Sequence, residues 1–126
     1  MNYLAKIEGF EKLIEEIIIC IDGQKIRCFM PYGSSIPLEI GKQYYVKLEA
    51  DIYNDLEIKR NVKKIRCINQ TFAYCISGTL DIDNAKIEST IDIYLAKEYL
   101  YDYTFLDKKY VELKVDRFNI DFDIDL

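Results

Sequence analysis

The stretch IIICIDGQKIRCFM at residues 17–30 decides the fold class, because it has the pattern of two strands joined by a tight turn. The β-branched residues favour extended strands, and Asp22-Gly23 is a dipeptide that forms two-residue hairpin turns. A turn at this point places one set of side chains on the same face, namely Ile17, Ile19, Ile21, Ile26, Cys28 and Met30. We therefore predict a hairpin with one buried face.

The composition extends this expectation to the rest of the 126 residues, since the chain has twenty Ile, eleven Tyr and six Phe against four Val and no Trp. Residues of these types suit a pleated, half-buried sheet. Further strands are predicted at residues 3–10, 44–52, 72–82, 87–96, 98–106 and 109–118. Residues 10–16 fit either a helix or a strand. The fold class is thus all-β, with about eight short antiparallel strands.

Two strand-like stretches resemble each other and predict an internal duplication. Residues 45–54 and 110–119 share Tyr, Val, Leu, Asp and Asn at matching positions without a gap. Two amphipathic strands that follow turns also look alike without a common origin, so that alternative stays open.

The duplication implies a single β domain over residues 1–126, made of two similar halves at about 1–68 and 69–126. The strand pattern of each half resembles a meander or a small, partly open barrel of the oligonucleotide/oligosaccharide-binding (OB) type. Together the halves would form a barrel or a sandwich. Fold analogy of this kind carries no function with it.

Several classes of enzyme are excluded by residues that the chain lacks. There is no His, which removes imidazole acid–base chemistry and His-ligated zinc. The five glycines are too scattered for a phosphate-binding loop. A carboxylate pair could act without His, but nothing in the sequence selects one. We expect a protein that is not an enzyme and that needs no cofactor or metal.

The distribution of apolar residues and cysteines predicts a cytoplasmic protein without a membrane segment. No apolar run reaches the roughly 18–20 residues of a membrane span, and acidic residues interrupt the N-terminal stretch where a signal peptide needs apolar ones. The four cysteines, Cys20, Cys28, Cys67 and Cys75, lack C-x-x-C spacing. We interpret them as reduced, mostly buried residues, with convergence on a zinc ion as the alternative.

The charges are unevenly divided along the chain. Residues 1–80 hold eleven basic and ten acidic side chains, whereas residues 81–126 hold six and twelve. In the last nine residues, apolar side chains alternate with Asn119, Asp121, Asp123 and Asp125. A strand there would bury Phe118, Ile120, Phe122, Ile124 and Leu126 on one face and present the polar set on the other.

Two interpretations of this acidic strand are open. One is a solvated edge strand that charge protects from aggregation. The other is a docking surface formed by Asn119, Asp121, Asp123 and Asp125 for a basic protein partner. The second gives the leading functional hypothesis, a non-enzymatic cytosolic binding protein such as an inhibitor or an immunity-type antidote. The spacing of Asp121, Asp123 and Asp125 also resembles the start of an EF-hand loop, but the Gly and the Glu that such a loop requires are missing.

A cluster of basic residues provides the material for contacts with phosphates. It consists of Lys59, Arg60, Lys63, Lys64 and Arg66. Tyr53 and Phe72 lie nearby in sequence and could stack bases. Because the isoelectric point is about 4.8, the field of the whole protein repels polyanions, and we expect a solvated face or a partner for the acidic strand instead. Nucleic acid is therefore an unlikely ligand.

An aromatic stripe gives the alternative function. Tyr99, Tyr101, Tyr103 and Phe105 stand at every second position, which in a strand places four rings on one face. If exposed, they would suit an OB-like module that binds an oligosaccharide or a single-stranded nucleic acid by stacking. We expect burial, with Asp102 and Thr104 on the wet face.

Overall fold

The computed structural model describes residues 2–11, 15–30, 36–59 and 62–122 of the chain. Eleven strands lie in these ranges: β1 (Asn2–Glu11), β2 (Glu16–Ile21), β3 (Gln24–Phe29), β4 (Gln43–Asp51), β5 (Glu57–Ile58), β6 (Lys64–Cys67), β7 (Tyr74–Asp81), β8 (Lys86–Glu88), β9 (Asp92–Tyr94), β10 (Tyr110–Val115) and β11 (Arg117–Asp121). The all-β fold is confirmed. The described ranges contain more strands than the eight expected, because several are only two to four residues long.

The chain divides into two compact units. The first unit comprises residues 1–51 and 117–126, and the second comprises residues 52–116 between them. The boundary expected between residues 68 and 69 falls between β6 and β7, which pair with each other inside the second unit. The compact units therefore do not follow the two halves of the predicted duplication, which itself stays a prediction.

The first unit is a closed barrel with the strand order β1-β2-β3-β11-β4. A closed ring with an odd number of strands cannot alternate in direction at every step, so at least one neighbouring pair must be parallel. That pair is β3 and β11, which meet at Phe29 and Asn119, while the other pairs of the ring are antiparallel. The expectation of antiparallel strands throughout is wrong at this one seam.

The hairpin at residues 17–30 forms as predicted. Ile19 pairs with Ile26, and Asp22-Gly23 makes the turn with positive φ at both residues, 48° and 83°. The inward side chains predicted from the sequence are all buried: Ile17, Ile19, Ile21, Ile26, Cys28 and Met30. These side chains fill one side of the barrel.

The last strand of the barrel, β11, has the predicted alternation but not the predicted place. Phe118, Ile120 and Phe122 are buried, and Asn119 and Asp121 are partly exposed. The strand pairs with β4 on one side and β3 on the other, so the edge-strand interpretation is wrong. Its partners lie far away in sequence, which is why the pattern alone could not show that both edges are occupied.

An ion pair joins the two points where the chain leaves and re-enters the barrel. Asp51 is the last residue before the second unit, and Arg117 is the first after it. The two residues pair across β4 and β11, and Arg117 Nε donates a hydrogen bond of 2.8 Å to Asp51 Oδ2. The guanidinium also lies 4.3 Å from the centre of the Phe29 ring. Arg117 is thus held against a carboxylate of the neighbouring strand β4.

The second unit contains an open sheet with the order β5-β10-β7-β8-β9, and β6 also pairs with β7. In both units the fourth strand returns beside the first of a meander, giving the Greek-key orders β4-β1-β2-β3 and β10-β7-β8-β9. A fifth strand then lies beside the fourth. It follows the meander in the first unit, as β11, and precedes it in the second, as β5.

Residues 98–106 are helical, and the strand predicted there is wrong. A short α-helix, α1, spans Lys97–Leu100, and a 3-10 helix spans Tyr101–Leu106 with a kink at Tyr103. Leu100 and Leu106 are the buried residues of this segment. Alternating Tyr residues suggested a strand, but burial of these two leucines decides the local structure. Neither helix in the described part of the chain has the length and apolarity needed to cross a membrane.

Candidate functional site

A cleft of about 340 Å³ lies on the outer side of the sheet in the second unit. Three cationic side chains line it, Lys59, Lys64 and Arg66. Its other lining residues are Val62, Cys75, Ser77 and Glu112. The cleft therefore combines three positive charges with one carboxylate, one hydroxyl and one thiol.

Strand pairing explains why these residues meet. Lys64 and Arg66 alternate with buried Ile65 on β6, so both project to the face opposite the core. In the register of the sheet, Lys64 lies opposite Ser77 and Arg66 lies opposite Cys75. On the other side of β7, Glu112 of β10 also lies opposite Ser77. One row across three strands thus places a cation, a hydroxyl and a carboxylate side by side.

The carboxylate of Glu112 is held by its neighbours. Ser77 Oγ donates a hydrogen bond of 3.3 Å to Glu112 Oε2, and Lys59 Nζ lies 3.5 Å from Glu112 Oε1. Ser77 is 8% exposed, and Ser89 Oγ donates a 2.7 Å hydrogen bond to its backbone carbonyl. The polar part of the cleft is therefore an ordered network.

The thiol of Cys75 is not set up as a nucleophile. Burial raises the pKa of this thiol, and the negative charge of the nearby Glu112 raises it further. The group is therefore protonated at neutral pH, whereas the thiolate is the reactive form. Cys75 acts in the cleft as a small, weakly polar surface.

The predicted basic cluster is divided by the structure. Lys59, Lys64 and Arg66 line the cleft, Lys63 is exposed outside it, and Arg60 lies outside the described residues. Tyr53, which was expected to lie nearby, is 78% exposed. Three of the five cations therefore converge on one surface.

The predicted acidic docking surface is described only in part. Asp123 and Asp125 lie outside the described residues. On the outer face of β11, Asn119 lies opposite Glu49 and Asp121 lies opposite Lys47. The described part of this face thus mixes charges of both signs. Binding of a basic partner by Asn119, Asp121, Asp123 and Asp125 stays a prediction.

The predicted aromatic stripe does not lie on one strand face, because its residues are helical. The Tyr99 hydroxyl donates a 2.8 Å hydrogen bond to the backbone carbonyl of Asn54, and the Tyr103 hydroxyl donates one of 2.6 Å to Asp55 Oδ1. Burial raises the pKa of Tyr99, which keeps this donor protonated. These two residues anchor the segment that precedes β5.

The other two members of the stripe face solvent. Tyr101 is 69% exposed and Phe105 is 70% exposed, so the expected burial is wrong for both. Ligand binding by Tyr99, Tyr101, Tyr103 and Phe105 stays a prediction, but the four rings do not form the continuous row that a strand would give.

The family described as uncharacterised conserved protein UCP019853 matches residues 1–123. The chain belongs to this family. No curated protein and no solved structure matches the chain.

Four residues that line the cleft were not predicted to do so from the sequence, namely Val62, Cys75, Ser77 and Glu112. The alternation of buried Val111, Leu113 and Val115 does indicate that Glu112 points away from the core. What the pattern could not show is the order β6-β7-β10, which brings Glu112 next to the basic cluster. Among the described residues, no group of three or more Cys, Asp or Glu could hold a metal ion.

Proposed function

We propose that the protein is a non-enzymatic binding protein that holds an anionic polymer, a single-stranded nucleic acid or an acidic oligosaccharide, in the cleft of its second unit. The observation that carries this proposal is the convergence of Lys59, Lys64 and Arg66 on one cleft that contains a single carboxylate among its lining residues. Cationic side chains that flank a groove are the usual means of tracking a polyanion.

The net negative charge that would repel a polyanion is smaller on the second unit than on the whole chain. The net charge of the protein is −5. Residues 52–116 hold ten Lys and Arg against eleven Asp and Glu, a net of −1, so the remaining −4 lies on the other unit. Since salt screens exposed charges beyond roughly 8–10 Å, the local charges of the cleft dominate contacts with a ligand there.

The barrel of the first unit supports an OB-type assignment, which we include in the proposal. It has five strands and a Greek-key order, which are features of that fold type. OB-type domains bind oligonucleotides and oligosaccharides, and both belong to the ligand class proposed here. The site that we propose lies on the second unit and rests on its own residues.

The double variant K64A/R66A tests the proposal. We expect at least about a tenfold loss of affinity for a labelled uridine decamer or a sulfated oligosaccharide at low salt, because two charge-assisted contacts are lost. The slope of log affinity against log salt should fall by about 1.4 for the single-stranded nucleic acid. Fluorescence anisotropy over a salt series measures both quantities.

The matched control is K97A/K108A, which removes two exposed lysines of the same unit that do not line the cleft. Its affinity should stay close to that of the wild type. Equal binding by K64A/R66A and the control variant would contradict the proposed site. Thermal unfolding of each variant checks that folding is intact, as expected for exposed side chains.

A second candidate function is the binding of a basic protein, as an inhibitor or immunity-type antidote would do. The net charge of −4 on residues 1–51 and 117–126 favours it, since opposite charge accelerates association. The residues proposed for this contact are Asn119, Asp121, Asp123 and Asp125.

The variant D121N/D123N/D125N tests this second function. After nuclease treatment of a lysate, a partner captured on the immobilised protein would be purified and its association rate measured by surface plasmon resonance. We expect slower association and a flatter salt dependence for the variant, because long-range steering is lost. The variant D83N/E98Q/D102N has the same change of charge in the second unit and should associate at the wild-type rate. Unchanged kinetics for the first variant at low salt would remove these aspartates from the contact.

A further inference from the structure

Glu112 is unusual in the cleft, because a carboxylate repels the anions that the surrounding cations attract. Its side chain is 29% exposed, so the charge is accessible from the cleft. A site that served only to attract phosphates would be stronger without it. Its position on the sheet row with Lys64 and Ser77 suggests a separate task in recognition.

The contacts of Glu112 leave it able to accept a hydrogen bond from a ligand. A carboxylate has about four acceptor positions. Ser77 Oγ donates to Oε2, Lys59 Nζ lies near Oε1, and the Cys75 thiol lies beside the group. These contacts fix the orientation of the carboxylate and leave capacity for one further donor. A suitable ligand therefore carries a hydroxyl donor close to its anionic group.

The spacing of the cations favours a polymer with an anion at each unit. Lys64 and Arg66 are successive outward residues of one extended strand, so their charges follow a line. Single-stranded RNA carries a phosphate and a 2′-hydroxyl at each unit.

We infer that Glu112 makes the cleft selective for single-stranded RNA over DNA, by accepting a hydrogen bond from a ribose 2′-hydroxyl while Lys64 and Arg66 contact the phosphates. This inference rests on the proposed function and specifies its ligand. A site built to bond a hydroxyl discriminates strongly against a ligand that lacks it, because its polar group loses water without gaining a partner. The 2′-hydroxyl is the group by which proteins distinguish RNA from DNA.

Three uridine decamers test the inference: rU10, dU10 and 2′-O-methyl-U10, which differ only at the 2′ position. For the wild type, anisotropy titrations should show rU10 bound about tenfold more tightly than dU10, the effect of one hydrogen bond to a charged acceptor. The 2′-O-methyl decamer cannot donate, so its affinity should not exceed that of dU10. For E112A, the ratio of rU10 to dU10 affinity should fall to about one.

The variant E57A is the matched control. Glu57 of β5 lies opposite Glu112 in the sheet and does not line the cleft. Removing its charge should change the affinities for rU10 and dU10 by the same factor and leave their ratio intact. If E112A fails to fold, E112Q replaces it. The neutral amide is a weaker acceptor, so the ratio should fall to about threefold.

The outcomes separate this inference from the proposed function. Equal binding of rU10 and dU10 that K64A/R66A abolishes would overturn RNA selectivity and leave the anion-binding cleft in place. Binding of a sulfated oligosaccharide but of neither decamer would overturn it in favour of a glycan. Absence of binding to all of these probes would overturn both the inference and the proposed function.

Discussion

Replacing Phe118 with alanine is expected to lower the free energy of unfolding by about 3–5 kcal/mol. Phe118 is 1% exposed and is among the largest fully buried side chains of the described residues. It belongs to β11, the strand that closes the ring between β3 and β4. The substitution thus leaves a cavity at the closing seam, where neighbouring strands are held on both sides and cannot easily collapse into it.

Urea unfolding followed by circular dichroism measures this loss. The control is F105A, because the Phe105 side chain is 70% exposed and its removal should change stability by about 0.5 kcal/mol or less. Similar losses for F118A and F105A would contradict the placement of β11 inside the closed barrel.

The substitution Gly78→Ala should have the next largest effect, a loss of about 1–3 kcal/mol. A Cβ atom at this position would overlap the backbone carbonyl of Glu88 on the neighbouring strand, and would lie 3.0 Å from Ile87 Cγ2. Because the obstructing atoms of Glu88 belong to the backbone, no rotamer change removes the overlap. Strands β7 and β8 must move apart, which weakens their pairing at Thr79 and Glu88.

Gly9 provides the control for this prediction. It lies at a register shift of β1, and a Cβ atom there would meet no heavy atom within 4 Å. The thermal midpoint of G9A should stay near that of the wild type, whereas that of G78A should fall by several degrees. A G78A protein as stable as G9A would show that β7 and β8 are farther apart than described.

The parts of the fold that could be predicted from the sequence depend on local patterns. The hairpin at residues 17–30 is determined by alternation and by a turn dipeptide, both within fourteen residues, and its buried face is as predicted. The inward set of β11 follows from the same period of two. Neither pattern contains information about which distant strand lies alongside.

The errors arise where distant contacts decide the structure. The hydroxyl groups of Tyr99 and Tyr103 bond to Asn54 and Asp55, more than forty residues earlier. With Leu100 and Leu106 buried, these contacts stabilise a helical segment although alternation favours a strand. The local preference of these residues for a strand is weak, and tertiary packing overrides it.

At the candidate site, the basic residues could be predicted from the sequence, but their neighbours could not. The cluster around Lys64 was visible as a run of basic residues, and its alternation with Ile65 indicated that the charges point outward. Ser77 and Glu112 are 13 and 48 residues away from Lys64 in the sequence. They lie beside it in the sheet because Lys64 and Glu112 both pair with Ser77. The cleft forms because the strand order places these residues next to the basic cluster, and no single stretch of sequence determines that order.

The insertion of residues 52–116 between β4 and β11 affects the order in which the protein folds. The barrel needs β11, yet residues 52–116 separate that strand from β4. Bringing β4 and β11 together across 65 flexible residues costs conformational entropy. The cost is smaller once the second unit has folded, because fewer flexible residues then separate the two strands. Sequence-distant strand pairing of this kind is slow. We therefore expect the barrel to close late, after the inserted unit has folded.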